Sequence, residues 1–280
     1  MAATRAAVLG SPIAHSLSPA LHSAAYRALG LTDWSYDAIE CDEARLPGLL
    51  GSLGPEWAGL SLTMPLKRAV LPLLDCAEPL ATAVAAANTV ILAEGRRLGY
   101  NTDVAGLVTA MREAGATPAG NAVVLGAGAT ACSALAALRV TGASQVTVAV
   151  RAPPRAAPLL AVAARLRVPV HVTELPAGLS ARGRWDLLIS TIPAAAASSL
   201  ADLFTTGALA AAVVVDVGYD PWPTPLAAAA AASGATVISG YEMLVHQAAR
   251  QVELMTGRAA PVEAMRAAGL AELDRRRNNR

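Results

Sequence analysis

The chain has 280 residues, of which 54% are hydrophobic and 15% charged, with a formal net charge of +1. That is enough apolar material for two modest domains, and it excludes a disordered chain. Near-neutrality gives no reason to expect nucleic acid or an anionic membrane as partner, and the apolar stretch at 226–232 is far too short to span a bilayer.

Apolar runs and their punctuation predict the elements. Val8-Leu9 reads as a first buried strand. A helix begins at Ser18-Pro19, with Ser18 as its cap and the proline at the first helical position, and it stops at Gly30. Residues 34–39 predict a strand, 44–53 a helix and 59–62 a short strand. The alanine-rich segment 77–87 predicts a helix and 88–92 a strand, after which Glu94-Gly95-Arg96 turns the chain back through 97–100. A domain junction crossed by helix is expected just after Asp103.

Beyond it, strands at 122–125, 146–150, 187–189, 213–215 and 236–238 alternate with helices at 129–140, 155–166, 194–203 and 225–233. Continuous apolar strands between helices imply a parallel sheet covered on both faces. Helices at 242–255 and 261–273 close the chain. The expected class is α/β in two domains with a cleft between them. A substrate domain takes 1–103 plus 238–280, and a Rossmann-like, parallel-sheet nucleotide domain takes 104–237. The basic run at 275–280 reads as a frayed, solvated end.

Gly126-Ala127-Gly128-Ala129-Thr130-Ala131 follows a strand and opens a helix. Two glycines permit a tight turn and close backbone approach, and the helix N-terminus offers N–H groups to a pyrophosphate. This context favours dinucleotide binding over a structural turn. The next strand ends in Val150-Arg151-Ala152-Pro153-Pro154-Arg155, with no acid for a ribose hydroxyl pair. Arg151 and Arg155 suit a 2′-phosphate, so the cofactor expected is NADP; two solvated arginines are the plainer reading.

Polar islands mark the first half. Lys67 lies at a strand end and Asp103 near the predicted junction, and together they suit proton transfer. Spacing alone favours a surface ion pair. Ser16 and Ser18 offer hydroxyls to a carboxylate, or cap a helix; Thr63, Asn88 and Gln247 suit a polyhydroxylated ligand, or bond only to backbone. The four histidines have no metal-ligand spacing, so no metal is expected. Three scattered cysteines (Cys41, Cys76 and Cys132) and an opening run without a secretory pattern point to the cytoplasm.

Taken together these motifs resemble the shikimate dehydrogenase family. The likeness rests on Gly10-Ser11-Pro12-Ile13-Ala14-His15-Ser16-Leu17-Ser18-Pro19, Ser61-Leu62-Thr63-Met64-Pro65-Leu66-Lys67, Asn88-Thr89, Asn101-Thr102-Asp103, Gly126-Ala127-Gly128-Ala129 and Gly240-Tyr241-Glu242-Met243-Leu244-Val245-His246-Gln247-Ala248, six motifs in the family's order. It implies reversible NADPH-dependent reduction of 3-dehydroshikimate to shikimate, on the way to chorismate and the aromatic amino acids.

Residue by residue, the resemblance assigns Ser16, Ser18 and Tyr219 to the substrate carboxylate, and Thr63, Asn88 and Gln247 to its ring, with Lys67 and Asp103 as the acid/base pair. It assigns residues 126–130, Arg151 and Arg155 to the nucleotide, and the backbones of Val217 and Gly240 to the nicotinamide. Val150 and Ala152 replace an amide and a hydroxyl common in the family, and Pro79 stands where an acid is common, beside Glu78. The rivals are an NAD-dependent quinate/shikimate dehydrogenase and a non-catalytic sensor binding shikimate or nucleotide. Monomer and homodimer are both left open.

Overall fold

A computed structural model describes residues 3–116, 120–180 and 184–279. Its chain divides into two units, Met1–Thr102 with Val245–Arg280, and Asp103–Leu244.

The first unit carries β1 (Thr4–Gly10), α1 (Ser18–Ala28), β2 (Trp34–Glu40), α2 (Leu46–Gly51), β3 (Trp57–Leu62), α3 (Leu66–Ala69), β4 (Cys76–Ala77), α4 (Pro79–Val84), β5 (Thr89–Ala93) and β6 (Arg96–Tyr100). The sheet order is β2-β1-β3-β5-β6-β4. Parallel pairing of β1 with β2 and β3 gives way to antiparallel pairing of β3 with β5 and β5 with β6. The antiparallel pairing of β5 with β6 follows from the two-residue turn between them, where Glu94 (φ 53°) and Gly95 (φ 71°) take the paired left-handed conformation that matches strand twist.

Leu9, Leu46, Leu60, Leu66 and Val90 are fully buried on one side of this sheet. On the other side Val8, Tyr26 and Tyr36 pack together.

Two expectations change here. The helix expected at 77–87 is only α4, because Cys76–Ala77 pairs with β6, Pro79 starts the helix, and Ala85 ends it in the left-handed region (φ 51°). Ser18 does not cap α1: Leu17 holds that position, and Ser18 is the first helical residue.

The second unit carries α5 (Asp103–Glu113), β7 (Asn121–Leu125), α6 (Ala129–Thr141), β8 (Gln145–Val150), α7 (Ala157–Leu166), β9 (Val170–Glu174), α8 (Ala177–Ser180), β10 (Arg184–Ser190), α9 (Ala194–Thr205), β11 (Ala210–Asp216), α10 (Pro225–Ala232) and β12 (Thr236–Ser239). Its strands order β12-β11-β10-β7-β8-β9, and every pairing is parallel. This is the doubly wound arrangement in which the chain reverses between β7 and β10, the place where such folds bind ligands. Strand β9 was absent from the sequence expectation. It is an edge strand with none of its residues buried and with polar residues at 171, 173 and 174, so it lacks the continuous apolar run of its buried neighbours.

Helix α11 (Gly240–Thr256) runs through the unit boundary, and α12 (Val262–Asn278) packs on α1. The basic run is therefore helical to Asn278 rather than frayed, while Arg280 lies outside the described residues. Among the described residues no helix is long and apolar enough to cross a membrane.

Candidate functional site

In the first unit the expected polar residues gather at the ends of β1, β3 and β5. Strand β3 ends at Leu62, whose N–H donates to the Asn88 carbonyl at 2.8 Å, so the start of β5 lies against the loop that carries Thr63. Thr63 is fixed by its N–H on the Leu9 carbonyl (2.9 Å), and its methyl occupies the space a Cβ on Gly10 would need. Lys67 sits on α3, half-buried, and its carbonyl accepts from the Ala87 N–H at 2.8 Å.

Asn88 is the hub. It is 1% exposed. Its Nδ2 donates to Thr102 Oγ1 (2.9 Å) and Gln247 Oε1 (3.1 Å), and its Oδ1 accepts from the Thr102 N–H at 2.7 Å. Thus Asn88 and Gln247, 159 residues apart, form one fixed amide pair.

A residue missed in the sequence extends this pair inward. Gln251 is one turn beyond Gln247 on α11. Its Nε2 donates to the Asn88 carbonyl (3.2 Å) and Thr89 Oγ1 (3.0 Å), while its Oε1 accepts from Ser61 Oγ at 2.8 Å. Thr89 Oγ1 in turn donates to Asn88 Oδ1 at 3.1 Å. Ser61 Oγ accepts from the Tyr36 hydroxyl at 2.6 Å, and Tyr36 also interacts with Ser18. A continuous buried chain therefore runs from Ser18 through Tyr36, Ser61, Gln251 and Thr89 to Asn88. Its i, i+4 spacing from Gln247 is the signal that could have found Gln251.

Ser16 Oγ accepts from the Ser18 N–H at 3.2 Å, so the two serines are bonded to each other. Beneath them His22 is fully buried, its ring stacked on Tyr36 at 3.9 Å and its Nδ1 3.0 Å from the Ser18 carbonyl. Burial lowers its pKa to about 4 against the bond to Ser18, so it is neutral and structural, as expected of a histidine without ligand spacing. Glu78 Oε1 accepts from the Asn101 N–H at 2.7 Å, which gives it a backbone-holding task at the residue before Thr102.

The second unit holds the remaining candidates. Asp103 opens α5 and is 2% exposed. The glycine loop lies at the β7–α6 turn. Gly126 has φ 102°, and a Cβ there would lie 2.9 Å from both Ile192 Cγ2 and Thr191 Oγ1 in the loop after β10. Gly128 is the N-cap of α6 with extended backbone, and no side chain caps the helix. A helix start without a side-chain cap, here with Ala129 and Thr130 in its first turn, suits an anion.

A cavity of about 510 Å³ opens there, lined by Gly126, Ala127, Val150, Arg151, Ala152, Arg155 and the apolar face of α9. Both arginines are exposed. Glu174 is the register partner of Val150 but does not line the cavity, so its described lining has two guanidiniums and no carboxylate. These features fit a phosphorylated dinucleotide.

Val217 and Gly240 are in contact, since a Cβ on Gly240 would run into the Val217 carbonyl. Tyr219, half-buried, is in the same loop after β11. Asp216 anchors that loop, accepting from Thr224 Oγ1 (2.5 Å) and the Gly218 N–H (3.1 Å). Burial pushes its carboxyl pKa up against those two bonds.

The family model for the shikimate dehydrogenase substrate binding domain matches residues 8–90, and that for the shikimate 5′-dehydrogenase C-terminal domain matches 240–268. A shikimate dehydrogenase (NADP(+)) of Citrifermentans bemidjiense is 39% identical, over 96% of this chain and 95% of the relative. The crystal structure of Mycobacterium tuberculosis shikimate dehydrogenase superposes with a TM-score of 0.85 at 44% identity, covering 96% of this chain and 99% of that one. The Thermus thermophilus enzyme, solved in complex with NADP(H) and shikimate, gives 0.81 at 34% identity, with 96% and 99% covered. This chain belongs to the shikimate dehydrogenase family.

Proposed function

We infer that this protein is an NADP-dependent shikimate dehydrogenase, an oxidoreductase that reversibly reduces 3-dehydroshikimate to shikimate in chorismate and aromatic amino acid biosynthesis. The observation that carries the reading is a buried amide cluster and a guanidinium-lined glycine-loop cavity, in one chain that matches its relatives almost end to end. Residues 1–103 plus 238–280 serve as the substrate domain and 104–237 as the NADP domain. The compartment we assign is the cytoplasm.

When bound, the nicotinamide supplies or takes the hydride at the carbon bearing the substrate's reacting oxygen. The chain does the rest. Ser16, Ser18 and Tyr219 hold the carboxylate, and Thr63, Asn88 and Gln247 orient the ring hydroxyls. Because Asn88 and Gln247 are bonded to each other and to Thr102, their amides are held in place before substrate arrives. Lys67 gives its proton to the forming alkoxide and Asp103 orients it, a contribution of roughly 10²–10⁴ in rate. Residues 126–130 would hold the pyrophosphate, Arg151 and Arg155 the 2′-phosphate, and the Val217 and Gly240 backbones the nicotinamide.

Absorbance at the nicotinamide band, with shikimate or quinate against NADP or NAD, tests this reading. Shikimate with NADP should turn over fastest. Preference for quinate with NAD would favour the first rival, and folded protein that binds shikimate without oxidising it would favour the sensor.

A further inference from the structure

The run at 275–277 holds a contact that neither the motifs nor the reaction requires. Arg276, near the end of α12, donates from Nη1 to the His15 carbonyl (2.8 Å) and from Nη2 to the Ser16 carbonyl (3.0 Å). Its Nε donates to Glu272 Oε1 at 2.7 Å. Both side chains are only 19% exposed. One planar fork thus spends three N–H groups in a fixed geometry that a lysine cannot copy. Arg275 also bonds Glu272, and Arg275 and Arg276 together pull the Glu272 carboxyl pKa down to about 2, so it stays ionised at any working pH.

The segment so held is irregular. Between β1 and α1 its other described ties include the Ser16 N–H to the Ile13 carbonyl (2.9 Å), the Ile13 N–H to Glu40 Oε2 (2.9 Å), the Ser11 N–H to the Met64 carbonyl (2.9 Å) and the Ser18 N–H to Ser16 Oγ (3.2 Å). None of these holds the carbonyls of residues 15 and 16.

We propose that Arg276 is a positioning residue for the substrate carboxylate: by gripping the His15 and Ser16 carbonyls it sets where the Ser16 hydroxyl, and through it the Ser18 N–H, can stand. The chain's last helix thereby controls a site more than 250 residues away in sequence. This rests on Ser16 as a carboxylate contact.

Steady-state kinetics on Arg276→Ala, Arg276→Lys, Ser16→Ala and Arg277→Ala decide it, together with NADP titration and thermal melts. Arg276→Ala should raise the shikimate KM about tenfold, with kcat, NADP affinity and melting temperature close to the parent. Arg276→Lys should recover part of the loss. Arg277, exposed and paired with Asp274, should be silent when changed to Ala. A Ser16→Ala enzyme with raised KM beside an Arg276→Ala enzyme within twofold of the parent overturns the clamp alone. Unchanged KM in Ser16→Ala overturns the carboxylate assignment and the clamp with it. Parallel loss of shikimate affinity, NADP affinity and melting temperature in both Arg276 variants would reduce Arg276 to a structural tie.

Discussion

The two units build their sites from different material. In the first, side chains hold side chains: Tyr36, Ser61, Gln251, Thr89, Asn88, Thr102 and Gln247 are joined by bonds of 2.6–3.1 Å. In the second, backbone shapes the cavity. Gly126 is there because a Cβ would collide with Ile192 and Thr191, and the charged groups, Arg151 and Arg155, stand on the exposed rim. A side-chain network should fail gradually and non-additively, whereas a backbone cradle should fail at once where a methyl intrudes.

That contrast can be broken at its sharpest point. Gly126→Ala adds a methyl against Ile192 and Thr191 at a residue with φ 102°. NADP affinity should fall on the order of 100-fold while shikimate affinity, by calorimetry, stays near the parent. Equal loss of both ligands would mean that the change had deranged the whole chain.

Gln251→Leu sharpens the other side. It strips partners from Ser61, Thr89 and the Asn88 carbonyl. Unfolding should cost about 1–3 kcal/mol less and the shikimate KM should rise roughly tenfold, with NADP unaffected. Combined with Gln247→Ala, the KM should rise by less than the product of the two single fold-changes, because both variants release Asn88. Full additivity would show that the network does not act as a unit.

The smallest effect concerns pH. His22 has a folded pKa of about 4 against 6.5 when unfolded, so the neutral ring is the folded form. Its contribution is complete above 6.5, is lost as pH falls, and is exhausted below about 4. Between pH 7 and 5 the urea unfolding free energy should drop by about 2 kcal/mol from this group. His22→Gln should flatten that slope. An unchanged slope would place the proton elsewhere.

Much of this was legible, for reasons tied to particular residues. The glycine loop and its strand–helix context read correctly because φ 102° at Gly126 is a demand that only glycine meets cheaply. The Glu94-Gly95 turn was legible on the same grounds. Gln251 was legible only through its i, i+4 spacing from Gln247, since apart from that spacing a glutamine bonding Asn88 looks like one facing solvent. Arg276 was hidden by its neighbours: three arginines in a row read as a solvated end, and only the fold brings one of them to Ser16. The expected cap at Ser18 failed because Ser16 Oγ accepts the Ser18 N–H and Ser18 itself interacts with Tyr36.

The most direct measurement is single-turnover and steady-state kinetics of Lys67→Ala with shikimate and NADP. The account predicts that kcat falls roughly 10²–10⁴-fold while both ligands still bind near parental affinity. Turnover within a few-fold of the parent would contradict proton transfer by Lys67, and with it the chemistry assigned to this site.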